Sequence, residues 1–177
     1  SLVRSACGAE IPEATGPTAK GPDGVTVGGG ALGLGQITVR LDQVLRRGSL
    51  LLGALEVTGG RSGSLTPLGT GWLSDPGSVL NNVRGEPGGA TSLLASDGLT
   101  LLSGSDRIYP VDYLLPGSSA HRALTELELT EILADGQTSR VCVAWPDTGE
   151  DTVMVDHPAG GALPCPWRLT DVPVVAS

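Results

Sequence analysis

The sequence predicts an all-β, antiparallel sandwich of about eight or nine short strands, and three observations carry that expectation. Apolar residues recur with a period of two in several short runs. Turn-forming residues punctuate those runs, with 27 Gly and 13 Pro among 177 residues. The apolar volume is aliphatic, because the chain has no Phe, 2 Tyr, 3 Trp and 1 Met. A chain of this length can bury a core. Its glycines follow no strict period, unlike collagen, and its aliphatic residues are too many for a disordered chain.

Residues 1–24 read as a Pro/Gly-rich tail or tether, and residues 25–177 as the domain. Within the tail, Ile11-Pro12, Gly16-Pro17 and Gly21-Pro22 recur without an apolar rhythm, and Asp23-Gly24 closes the stretch with a turn signal. The first clear strand follows, where Ile37, Val39 and Leu41 alternate with Thr38, Arg40 and Asp42. Arg46-Arg47-Gly48-Ser49 separates it from a second apolar run, Leu50 to Val57. Two such runs around a short polar link containing Gly read as a hairpin. Residues 59–92 are loop-rich, anchored by Leu65, Leu68, Trp72, Leu73, Val79 and Leu80, with Trp72 read as a core plug. Asp97-Gly98 announces a strand at Leu99–Leu102. In the next run, Arg107 to Tyr113, Pro110 predicts an edge strand or a bulge, since it has no N–H for a ladder.

Residues 119–134 admit two readings. Ala120, Ala123, Leu124 and Leu127 fit one helix face, with Ser119 as cap and Gly136 as stop. Leu127 and Leu129 alternate with Glu126, Glu128 and Thr130, which fits a strand. The strand is preferred, because Asp135-Gly136 and Arg140-Val141-Cys142-Val143 look like the rest of a hairpin. Strands near Thr152–Val155 and Arg168–Val175 close the chain.

Charge narrows the function. The net charge is −8, Lys20 is the one lysine, and Arg46-Arg47 is the one basic doublet. Binding a phosphate backbone needs clustered cations to displace counterions, so nucleic acid is not an expected partner. An anionic membrane surface is disfavoured for the same reason. No run approaches the roughly 20 apolar residues needed to span a bilayer, so no direct membrane insertion is expected.

Several strings imitate chemical motifs. Gly28-Gly29-Gly30-Ala31-Leu32-Gly33 satisfies G-x-G-x-x-G, but a dinucleotide site needs a helix to begin there. The chain instead continues into Ile37-Thr38-Val39, so a glycine bend is expected. Asp147-Thr148-Gly149 spells the aspartic-protease triplet, whose chemistry needs a second carboxylate sharing a proton in an apolar setting. Glu150-Asp151 follow directly and crowd it with charge. The same stretch with Asp156 offers oxygen ligands for calcium, yet lacks the spacing of a calcium loop, and is read as a solvated hairpin tip. His121 and His157 are the two histidines, far fewer ligands than a zinc site needs. No G-x-S-x-G elbow is present. The expectation is a protein that is not an enzyme and holds no cofactor or metal.

The three cysteines bear on the compartment. Three pairings are open, each leaving one thiol over, and Cys142–Cys165 is the expected bridge because two neighbouring strands would bring these residues together. Such a cross-link contributes about 3 kcal/mol in the chain-entropy account and persists outside the cytosol. Three buried reduced thiols are the alternative. Ser5-Ala6-Cys7-Gly8 resembles the end of a bacterial lipobox, although Arg4 stands where an apolar residue is usual. Cys7 is therefore a candidate lipid anchor, or a candidate bridge between copies of the chain.

Roughly residues 35–175 resemble the secreted immunoglobulin-like (telokin-like) domains of actinobacterial exported proteins and lipoproteins. The resemblance rests on Ile37-Thr38-Val39-Arg40-Leu41-Asp42-Gln43-Val44, Leu51 to Val57, Asp97-Gly98-Leu99 and Tyr109-Pro110-Val111. The Leu115-Pro116-Gly117-Ser118 turn and Thr170-Asp171-Val172-Pro173-Val174 complete it. The Cys142/Cys165 pair and the 59–92 loop depart from the pattern. The resemblance implies a two-sheet immunoglobulin-like sandwich outside the cell membrane, often lipid-anchored and usually without enzymatic activity. It carries over no functional residues, because the family has no common site. The function expected is a non-enzymatic, extracellular or cell-surface binding or accessory module whose partner is a protein or copies of itself. The alternative is a structural subunit, a capsid protrusion or surface fibre, whose N-terminal tail adds a strand to a neighbour.

Overall fold

Alternating apolar residues make Leu50–Gly59 a ten-residue strand, β5, around which one layer of the protein is built. The computed structural model describes residues 11–28, 36–60, 66–67, 98–114, 121–123, 132–158 and 166–177. Over them the protein is all-β, with fourteen strands and no helix among the described residues. Along one edge of β5 runs β12 (Thr138–Pro146), antiparallel over nearly its full length, from Thr138 opposite Thr58 to Pro146 opposite Leu50. The other edge is shared by two strands. β3 (Gln36–Arg40) pairs with the C-terminal half of β5 and β4 (Val44–Arg47) with the N-terminal half. β2 (Val25–Gly28) adds outside β3.

The second layer has β13 (Thr152–His157) at its centre. It pairs with β7 (Thr100–Ser103) on one side and with β14 (Trp167–Ala176) on the other. β8 (Asp106–Ile108) extends this layer beyond β7, and β1 (Thr18–Lys20) runs parallel to β14. β14 serves both layers. Its first part pairs with β13, while Val174–Ala176 runs parallel to β4. The ten strands therefore form one open mixed sheet, folded over through β14 so that its two halves share one core. Two short pairs stand apart: β9 (Asp112–Leu114) with β10 (His121–Ala123), and β6 (Thr66–Pro67) with β11 (Ile132–Leu133).

A bulge marks the crossing. Val153 faces Val172 and Val155 faces Leu169, so two steps along β13 match three along β14. The extra residue lies at Thr170-Asp171, and Asp171 has φ 53°, the one positive value among the described non-glycine residues. Aspartate tolerates this left-handed backbone better than most residues. A bulge also bends its strand and increases the local twist, which suits a strand passing from one layer to the next. Elsewhere, two-residue Gly-Ser links close hairpins between Arg47 and Leu50 and between Ser103 and Asp106. Gly48 and Gly104 each have φ 59°, the first central position of a type II′ turn.

The core is aliphatic with two indoles. Val25, Val39, Leu55, Val57, Val141 and Val143 from the first layer meet Leu101, Val153, Val155, Leu169 and Val172 from the second. Each such side chain contributes about 1.5–3 kcal/mol on full burial. Trp145 and Trp167 are both buried, and Trp145 Nε1 donates to Leu99 O at 2.7 Å, joining the layers by a buried hydrogen bond.

Four expectations are corrected. Fourteen described strands replace the eight or nine expected, because the hairpin arm before β5 is broken in two at Leu41–Gln43 and several pairs span only two or three residues. The sheet is mixed rather than antiparallel, because β1 and β4 both lie parallel to β14. The tail boundary at residue 24 falls inside the fold, since Thr18–Lys20 form β1. Gly21 then turns so close to Leu41 O and Val172 that a β-carbon would stand 2.5 Å from each. Finally, Asp135-Gly136 is not the turn of a hairpin leading into β12. The Ala134–Gln137 turn, with Gln137 N–H donating to Ala134 O at 3.0 Å, docks on Gly59, and β12 goes to β5 instead. Within 119–134, the described residues 121–123 and 132–133 are strand. Pro110 separates β8 from β9, with β8 at the edge of its layer. Trp72 and its neighbouring anchors lie outside the described residues, as do residues 1–10.

Candidate binding face on the first layer

Strand alternation sends every second residue of the first layer outward, and register lines these residues up in rows. Thr26, Thr38, Thr58 and Thr138 form one row across β2, β3, β5 and β12. Their hydroxyls link in pairs, Thr26 to Thr38 at 3.2 Å and Thr58 to Thr138 at 2.7 Å. The next row is charged. Arg40 Nε donates to Glu56 Oε2 at 3.1 Å, Arg140 Nη2 to Glu56 Oε1 at 3.2 Å, and Arg40 Nη2 to Asp42 Oδ2 at 3.1 Å. Exposed pairs of this kind contribute about 0–1 kcal/mol each, so they orient side chains more than they stabilise.

Beyond the charges the face turns apolar. Ala54 stands opposite Cys142, and then Val175, Leu45, Leu52 and Ala144 follow in one row across β14, β4, β5 and β12. Leu45 and Val175 are each 37% exposed, the large hydrophobic side chains most open to water among those described. Ala144 is covered at the edge where Val111 N–H donates to its carbonyl at 2.8 Å. Between the charged and apolar rows lies a depression of about 630 Å³, bounded by Leu45, Leu52, Ala54, Cys142 and Ala144, with Asp42, Glu56 and Arg140 at its polar end. That volume falls among ligand-sized pockets, about 300–1,000 Å³. Its chemistry is apolar contact with a polar margin.

Cys142 is exposed at this depression and has no disulfide partner among the described residues. Cys165, expected to bridge it, lies outside the described residues, and so does Cys7. Among the described residues no group of three or more His, Cys, Asp or Glu is placed to hold a metal ion.

The motif-like strings take structural places. Asp147 follows β12 and faces Arg46, whose Nε donates to Asp147 Oδ2 at 2.9 Å, while Gly149 N–H donates to Oδ1 at 2.9 Å. The Gly149 amide first, and the Arg46 guanidinium second, hold the Asp147 carboxyl below the ordinary aspartate range. Arg46 also reaches Glu150 O at 2.7 Å, and Ser103 Oγ donates to Glu150 Oε1 at 2.6 Å. Asp156 sits at the far end of β13, joined to arginines of the second layer, so it does not converge with Asp147. Gly28 pairs with Gln36 in an antiparallel hairpin, which is not the crossover a nucleotide fingerprint needs. His157 is buried and stacks on Trp167, with ring centroids 5.7 Å apart. His121 lies in β10, opposite Leu114.

The apolar face was not among the sequence expectations, although it left a trace. Leu50-Leu51-Leu52-Gly53-Ala54-Leu55 and Val141-Cys142-Val143-Ala144-Trp145 are apolar in both phases of the alternation. A strand with only one buried side would be polar in one phase. Set against protein-family models, curated proteins and solved structures, the chain matches none.

Proposed function

We propose that the protein is a non-enzymatic, extracellular immunoglobulin-like binding or accessory module that engages a protein partner through the outer face of its first layer. The apolar row from Val175 to Ala144 carries this reading. It crosses four strands, exposes Leu45 and Val175, and borders a ligand-sized depression. Apolar surface flanked by polar groups is how proteins present contact sites. The alternative of a structural subunit has less support, since Thr18–Lys20 already pair with β14 of their own chain and are not spare for a neighbour.

The test uses 1-anilinonaphthalene-8-sulfonate, whose fluorescence rises on apolar surfaces. The full chain should give a saturable signal. Leu45→Glu should abolish most of it, while Thr58→Glu, on the same face but outside the depression, should leave it intact. Equal signals from both variants would sink the reading.

A further inference from the structure

The outer side of the second layer, on the opposite face of the sandwich, holds a different cluster. Arg168, Asp156 and Thr100 stand side by side in register across β14, β13 and β7. They are 7%, 6% and 0% exposed, unusual for two charged residues on the outward phase of a sheet. Arg107 reaches them from β8. Its Nη1 donates to Thr100 Oγ1 at 2.6 Å and to Asp156 O at 3.2 Å, and its Nη2 donates to Asp156 Oδ2 at 2.9 Å. Arg168 Nε donates to Asp156 Oδ1 at 2.7 Å.

Among the described residues the charges of this cluster do not balance. Two guanidiniums share one carboxylate, and among the described residues neither arginine pairs with a second. Among the described residues Arg168 makes one side-chain hydrogen bond, through Nε, and its two terminal nitrogens bond to no described residue. A net positive charge left over in so buried a cluster is costly. A guanidinium also offers paired donors in a rigid fork that fits the two oxygens of a carboxylate or phosphate. Arg107, 26% exposed, opens the cluster to solvent. From this geometry we infer that Arg107, Asp156 and Arg168 form an anion site for the carboxylate or phosphate group of a small acidic ligand. Arg168 is the buried fork and Arg107 the exposed arm. Asp156 is a positioning residue that holds both guanidiniums. The chain's net charge of −8 repels anions at large, so an anion would be held by this local excess and not by the whole surface.

The experiment is an NMR titration of the full chain with inorganic phosphate, and separately with acetate, replacing chloride at constant ionic strength. Saturable shifts of the Arg107 and Arg168 Nε–H signals with either oxyanion support the site, and the oxyanion that saturates first identifies the preferred group. Arg107→Gln should weaken the response about ten-fold, the loss of one charge-assisted hydrogen bond. Arg107→Lys, which keeps the charge but not the fork, should recover part of it. Should Arg107→Gln fail to fold, the wild-type signals still decide. Shifts that do not saturate, or that chloride reproduces, would overturn the inference. Leu45→Glu on the other face should leave this titration unchanged, so the two proposals fail separately.

Discussion

Trp145 lies over Gly53, so close that a β-carbon on Gly53 would stand 2.9 Å from the indole Cζ3. Gly53 is flanked by Val44 and Val143 on the inner side of the first layer, where the ring fills the space their side chains leave. Glycine in a strand is a local weakness that this contact explains. Gly53→Ala should therefore destabilise the protein by about 1–3 kcal/mol, the usual range for overpacking a filled core. The midpoint of urea denaturation measures it. A Gly53→Ala protein as stable as the parent would mean that Trp145 can move aside.

The same indole supports a second prediction. Trp145→Phe keeps most of the apolar volume but leaves Leu99 O, deep in the core, without the donor now 2.7 Å away. An abandoned buried acceptor costs about 1–3 kcal/mol. Denaturation of Trp145→Phe should show that loss with an unchanged slope, because the surface exposed on unfolding barely changes.

Asp171 should behave as its backbone demands. At φ 53° a side chain with a β-branch clashes with the chain, whereas glycine does not. Asp171→Val is expected to lose about 1–2 kcal/mol and Asp171→Gly far less, the shortfall being the hydrogen bond from Thr170 Oγ1 at 2.8 Å. If both variants melt together, the bulge is not what steers β14 between layers.

What could be read beforehand was local. The Ile37–Leu41 alternation and the Gly48-Ser49 link encode their own pairing, and both appear in the fold. Gly104-Ser105 carries the same hairpin signal and was open to the same reading. Thr18-Ala19-Lys20 has no apolar rhythm, so nothing in those residues reveals that β14 will receive them. The apolar outer face was half legible: the runs at Leu50–Leu55 and Val141–Trp145 are apolar in both phases, the inner one buried and the outer one open at Ala54 and Cys142. Which neighbours complete the row depends on Val175 meeting Leu45, a pairing between chain segments far apart that no short-range pattern encodes. The Arg107–Asp156–Arg168 cluster was hidden for the same reason.

Removing Asp156 should be more damaging than removing a surface charge. Asp156→Ala would strand Arg168, 8% exposed at its side chain, beside Arg107 with no carboxylate between them. Breaking one partner of a buried pair costs about 3–5 kcal/mol. By contrast Asp42→Ala, at the exposed end of the other layer's charge row, should change stability by well under about 1 kcal/mol. Parallel denaturation of the two variants makes the comparison, and equal losses would refute the distinction.

Acid should weaken the Arg46–Asp147 contact in a defined direction. Gly149 N–H and Arg46 favour the ionised Asp147, so its folded pKa lies below its unfolded one. Above the unfolded value, about 4 for an aspartate, the contribution to stability is fully present. It falls away as the pH drops from there through the folded value, because the unfolded chain takes up the proton first. Asp147→Asn lacks this ionisation altogether. Its urea midpoint at pH 7 should therefore lie below that of the parent, and the difference should narrow at pH 3. A difference that stays constant between the two conditions would show that Asp147 acts through hydrogen-bond geometry alone, with its charge irrelevant to holding Arg46.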